Sequence, residues 1–199
     1  MSLTLKTNMM KKIIIIGMLI VCTLSCKAQV LPVENVVNYV NSKNGIPKNI
    51  TSIKDVNHLL DKFIGTWKGT YEGKNYEFRV LKITTKPGRI TEEKLVMRYL
   101  ITNSNGTVIE DTRALPDSSP YVIEGYYLDT TTYTLIYGGK IANCGQAGTI
   151  FIDFLQGSNN TKMTLFLSPE PMIISQTGCP NGRAKQIIPT VNQMTLLKQ

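Results

Sequence analysis

The chain has 199 residues, 42% hydrophobic and 18% charged, with 22 Lys and Arg against 14 Asp and Glu for a net charge of +8. That length suits one domain with appendages, and the balance excludes a disordered tail and a multi-span membrane protein. One His and four Cys exclude a two-His metalloprotease helix, a His-rich metal centre and a double Cys-x-x-Cys zinc site, and leave His58 as the sole imidazole base.

The first predicted element is an address. Lys6, Lys11 and Lys12 precede an apolar run from Ile13 to Leu24, and no acid occurs before Glu34. A basic start followed by an apolar stretch too short to span a bilayer reads as a secretory signal over residues 1–25. Two processing readings follow. Thr23-Leu24-Ser25-Cys26 looks like a bacterial lipobox, with Thr23 where Leu is usual, and makes Cys26 the lipidated first residue. Cleavage after Ala28 would discard Cys26 instead. The expected product is an outer-membrane lipoprotein in the first case and a soluble periplasmic or secreted protein in the second. The signal takes three Lys and no acid with it, so the remaining chain carries +5 from Cys26 or +4 from Gln29.

Residues 26–62 are expected to hold the anchor, a linker and two short helices. Val33, Val36, Val37 and Val40 fall on one helical stripe after Pro32, and Asn44-Gly45 ends it. Val56, Leu59, Leu60 and Phe63 make a second stripe, with Thr51 or Ser52 as cap and Asp55 in the first turn. His58 falls between stripe positions and is expected to be half-exposed.

From Ile64 the apolar period changes to two. Trp67, Gly69 and Tyr71, then Tyr76, Phe78 and Val80, then Leu95, Met97, Tyr99 and Ile101 each alternate with polar residues. The pattern recurs to Met194 and Leu196, with Gly, Pro and Asn signals between the runs. It predicts an all-β domain over residues 63–199. The expected strands are nine: 64–71, 75–85, 90–103, 106–113, 121–129, 132–138, 148–156, 161–168 and 191–198. Asn105-Gly106 reads as a two-residue hairpin turn. Short strands at such spacing favour an antiparallel meander barrel.

In a meander, alternate connections share an end. The longer ones, 86–89, 114–120, 139–147 and 169–190, then lie together, and the helical lead enters there too. That end would carry Lys86, Arg89, Arg113, Lys140, Arg183 and Lys185 against Asp117 and Glu170. It is a candidate basic rim for anionic lipid, polysaccharide or an acidic envelope protein. Scattered solvated loop charge is the alternative. Once Cys22 leaves with the signal and Cys26 is lipidated or lost, Cys144 and Cys179 remain. An even pair in an oxidising compartment predicts a disulfide closing a 36-residue loop, the alternative being two separately buried thiols.

Phe63-Ile64-Gly65-Thr66-Trp67, after a helix and before a strand meander, resembles the lipocalin/calycin superfamily. There a Gly-x-Trp opens the first strand and the Trp plugs one end of the barrel. The helix of that superfamily closes the end opposite the long-loop mouth, whereas here lead and long loops are expected to share an end. Residues 30–199 are also similar to an uncharacterised family of small exported bacterial proteins, a domain of unknown function. The residues that carry this are Asp61 to Tyr71, Cys144-Gly145-Gln146, Cys179-Pro180 and Met194 to Gln199. The resemblance implies export and a β domain, and no activity.

Motifs for catalysis are missing. Glu92-Glu93 and Glu110-Asp111 are adjacent on strands, so the members of each pair point to opposite faces and read as solvated charges. There is no Gly-x-Ser-x-Gly elbow and no phosphate loop. No cofactor or metal is expected. Trp67 either plugs the barrel or lines a ligand cavity. Export and the lack of interleaved aromatic and basic residues disfavour nucleic acid. The reading is a monomeric, non-catalytic envelope module that binds an apolar small molecule or an anionic component. An interaction protein without a small ligand is the alternative.

Overall fold

A computed structural model describes residues 29–199. The signal segment, Cys22 and Cys26 lie outside the described residues. Eleven strands form: β1 (Gln29–Pro32), β2 (Ile50–Lys54), β3 (Gly65–Tyr71), β4 (Lys74–Thr85), β5 (Thr91–Asn103), β6 (Val108–Asp111), β7 (Ile123–Asp129), β8 (Thr132–Gly138), β9 (Ala147–Phe154), β10 (Lys162–Pro169) and β11 (Met194–Lys198). Eight of them close an antiparallel barrel of lipocalin-like form, in the order β5-β4-β3-β11-β10-β9-β8-β7 and back to β5. The alternation seen in the sequence is the alternation of the wall. Trp67, Phe78, Tyr99, Leu135, Ile152 and Leu165 point inward and are all 0% exposed.

A side chain facing a void wide enough for water would keep accessible surface. The barrel interior is therefore filled by side chains, and no ligand-sized chamber lies against these residues.

The fourth expected strand, 106–113, forms as β6 but is no stave. It extends the β5 hairpin through Leu100 opposite Asp111 and Ile101 opposite Glu110. The chain then runs on in the same direction to β7, which pairs lower on β5 at Val96 and Met97. The 112–122 connector crosses the outside of β5, where Arg98 Nε donates to the Leu115 carbonyl at 2.9 Å and a guanidinium nitrogen meets Asp117. That cover explains why Arg98 is buried on an outward-facing position. The hairpin loop is also wider than two residues. Gly106 N–H donates to Asn103 O, and Asn103 N–H to Thr107 O.

Because β6 and β7 run the same way, every connection after them changes end. Loop 139–146 and loop 170–193 lie at one end, here called the clasped end. Loop 86–90 lies at the other, the lead end, with the segment that enters β3. The expectation that all long loops and the lead share an end is corrected. The lead closes the end opposite loops 139–146 and 170–193, as in the superfamily the chain resembles.

The short helical lead is present, but only the first of its two expected helices forms. The first stripe folds only as a 3-10 turn, Val33–Asn35, and one helical turn, α1 (Val37–Val40). The second is not a helix. Ile50–Lys54 forms β2, which pairs in parallel with β1 and with Thr91 and Glu92 of β5. Only Asp61–Phe63 makes a 3-10 turn. Asp55 explains the difference. Its buried carboxylate accepts from Leu59 N–H at 2.7 Å and Leu60 N–H at 3.1 Å, holding a turn in which His58 has φ +56°. A left-handed residue there interrupts any helix. His58 is exposed and bonds Asp61 at 3.0 Å.

A gap between β5 and β7 admits β2. Leu95 N–H donates to the Tyr133 hydroxyl at 3.1 Å. Gly125 makes room, since a Cβ there would sit 2.2 Å from that hydroxyl and 2.5 Å from the Leu95 carbonyl. The lead then enters the seam. Arg89 clamps it, donating to the Ile46, Pro47, Lys48 and Ile50 carbonyls at 2.6–3.2 Å.

Candidate functional site

Cys144 and Cys179 form the disulfide, with Cα atoms 5.6 Å apart. It ties loop 139–146 to loop 170–193. The stretch from Ala184 to Pro189 then lies as a strap over the barrel mouth. Ala184 N–H donates to Cys144 O at 2.8 Å, and Leu167 N–H to Pro189 O at 2.9 Å. Tyr76 Oη reaches Ile187 O at 3.0 Å, and burial pushes its pKa up to about 12. A crevice of about 190 Å³ remains between the strap and the β3–β4 turn.

Cys144-Gly145-Gln146 is the fastening. Gly145 has φ +93°, and a Cβ there would lie 2.8 Å from the Arg183 guanidinium that crosses it. Gln146 accepts from Ile141 N–H at 3.1 Å and donates to Lys185 O at 3.3 Å. Gln186 donates to Gly145 O at 2.6 Å. Below the strap, Glu110 is 5% exposed and accepts from Tyr99 Oη at 2.6 Å. Tyr137 Oη and Gln186 Oε1 are buried and lack partners among the described residues. Burial pushes the Tyr99 and Tyr137 hydroxyls well above their ordinary pKa. They remain protonated at neutral pH and serve as hydrogen-bonding groups. Glu110 corrects the expectation of a solvated strand charge.

The basic rim does not assemble as one feature. Lys140, Arg183 and Lys185 lie at the clasped end, and Arg183 also donates to Met172 O. Lys86 and Arg89 lie at the opposite end, with Arg89 engaged by the lead carbonyls. Arg113 lies on the wall between Asp111 and Glu77, at 2.9 and 3.2 Å. Its hydrogen bonds hold Asp111 below the usual carboxylate range. For Glu77, burial alone would raise the pKa, but Arg113 and Arg79 outweigh it and lower it. The parity change at β6 is the reason for this separation.

Trp67 closes the lead end. It is 0% exposed, and its Nε1–H donates to Phe63 O at 2.8 Å. Its ring lies 5.8 Å from that of Phe154, and Lys198 Nζ stands 5.2 Å from its centroid. Between plug and strap, the wall positions little chemistry. Sequence reasoning missed Tyr99, Glu110, Tyr137 and Gln186. The only available signal was an acid at an inward position of a strand.

These features define a class: a filled, lipocalin-like eight-stranded barrel, plugged at one end and clasped at the other. Residues 10–186 match the family of unknown function DUF6705, and the chain belongs to that family. The match takes in the Asp61–Tyr71 stretch and both cysteines of the clasp, and stops before β11, the strand that closes the barrel. Comparison with curated proteins and with solved structures returns no match.

Proposed function

We propose that this protein is an exported, non-catalytic binding module of the cell envelope that engages an anionic envelope component through its clasped end. One observation carries the reading. Lys140, Arg183 and Lys185 have no carboxylate partner among the described residues, and the disulfide ties together the two loops that carry them and the exposed Ile141 and Ile173. Cations next to aliphatic tips suit an anionic lipid surface or an acidic polysaccharide. The filled interior favours this surface over an apolar ligand inside the barrel. The non-catalytic part fits His58, whose ring bonds Asp61 on an exposed turn and meets no hydroxyl or thiol among the described residues.

The test is sedimentation with vesicles containing anionic lipid and, separately, with an acidic polysaccharide. Binding should weaken with salt, and Lys140→Gln with Lys185→Gln should weaken it about 30-fold, at about 1 kcal/mol per cation. Binding that ignores both changes, or no binding to either material, rejects the reading. The same exposed aliphatics also suit a protein partner, and vesicle and polysaccharide inertness would favour it.

The lead enters at the plugged end, so an anchor at Cys26 would display the clasped end away from the attachment point. Mass spectrometry of the mature N-terminus should find a lipidated Cys26. An unmodified start at Gln29 removes the anchor and leaves a soluble exported protein.

A further inference from the structure

The seam where β7 leaves β5 has an outer consequence. The lead fills the seam only in part, leaving a groove of about 580 Å³ along the outside of the barrel. Its apolar walls are Val36 and Ile53 from the lead side and Tyr126 and Ile136 from the barrel side. Tyr126 is 44% exposed and Ile136 47%. Val36 and Ile53 are themselves buried, so Tyr126 and Ile136 supply the open apolar surface of the groove.

The charge of this groove runs against that of the chain. Glu92, Glu124 and Glu170 line it with a single cation, Lys94. Lys94 is engaged by Glu124 at 2.8 Å. Glu92 has no ion-pair or hydrogen-bond partner among the described residues. It is half-buried, and burial raises its pKa, with Glu124 adding to the effect and Lys94 opposing it. The region is thus a negative, greasy trough on a positively charged protein.

We propose that this groove binds an amphiphilic organic cation, an alkylammonium whose chain lies along Ile53, Tyr126 and Ile136 and whose head group pairs with Glu92. The head group would supply the direct ion-pair partner that Glu92 lacks among the described residues, and the chain would cover the exposed faces of Tyr126 and Ile136. This site runs along the wall and reaches the clasped end only at Glu170, so it does not use Lys140, Arg183 or Lys185.

Calorimetric titration of the purified protein with dodecylammonium, below its micelle concentration at neutral pH, tests the proposal. Dodecyl sulfate and butylammonium serve as comparators. One dodecylammonium per chain should bind, with dodecyl sulfate and butylammonium each at least tenfold weaker. General charge attraction would give the reverse order for the two dodecyl probes, because the chain is basic. Glu92→Gln and Ile136→Ser, both outward substitutions, should each lose about tenfold while the thermal midpoint is unchanged. Equal or tighter binding of dodecyl sulfate, or variants that bind as the parent does, overturns the proposal. If a second copy of the chain occupies the groove, ultracentrifugation shows a dimer and amine uptake is absent, which also overturns it.

Discussion

Trp67→Ala is expected to lower the unfolding free energy by about 3–5 kcal/mol, the range for emptying a large aromatic site in a core. Nothing nearby is free to fill the hole. Phe63, Phe154 and Tyr133 already pack against one another, with ring centroids 4.8 and 5.9 Å from Phe63. The substitution also strips the Phe63 carbonyl of its indole donor, and a buried acceptor left alone costs about 1–3 kcal/mol. Trp67→Phe separates the two contributions, since it keeps much of the volume and loses the N–H. Lys198→Gln, which removes only the cation over the ring, should cost well under the alanine change. Urea unfolding monitored by circular dichroism measures all three. An alanine variant within about 1 kcal/mol of the parent would mean that Trp67 borders open space. The ligand-cavity reading of Trp67 would then return.

How far the sequence reveals this fold depends on the range of each interaction. The eight staves were legible because inward and outward positions alternate locally, and the period of two needs no knowledge of neighbours. The lead was not, because its structure is decided at long range. Ile50–Lys54 has β-branched residues suited to a strand, but it becomes one only where β7 stops pairing with β5 and the Tyr133 hydroxyl takes the Leu95 N–H, leaving Thr91 and Glu92 to pair with β2. The Val56–Phe63 stripe looked helical until Asp55 captured two of its backbone N–H groups.

The role of β6 shows how one topological step propagates. Its pattern is that of a strand, and a strand it is. Whether the following connection reverses direction depends on Arg98 holding the connector against β5, a contact made across the fold. The expected grouping of Lys86 and Arg89 with Lys140, Arg183 and Lys185 crossed that step and failed. The expected grouping of Cys144 with Cys179 depended only on β8, β9 and β10 alternating after it, and held. Glu110 was misread for a related reason. Its burial depends on Tyr99 from the neighbouring strand, and its own sequence context resembles an exposed edge.

Removing the clasp is the second large effect. Cys144→Ser with Cys179→Ser should cost about 3–4 kcal/mol, the chain-entropy value for opening a loop of 36 residues. That is a large part of the 5–15 kcal/mol that keeps an ordinary domain folded. The loss should also be local. Loop 170–193 carries no strand or helix of its own, so without the disulfide the strap is held by hydrogen bonds of Ala184, Leu167, Tyr76, Gln146 and Gln186 and by Ile188 in the core. Hydrogen exchange at Ala184 and over 186–188 should therefore accelerate in the double variant, while β4 and β5 stay protected. Adding reductant to the parent should reproduce both changes and leave the variant unaffected. A variant that unfolds at the parent's urea midpoint would show that the clasp contributes no stability. Exchange that rises evenly across the barrel would place the clasp within the global folding unit and remove the case for a separately fastened mouth.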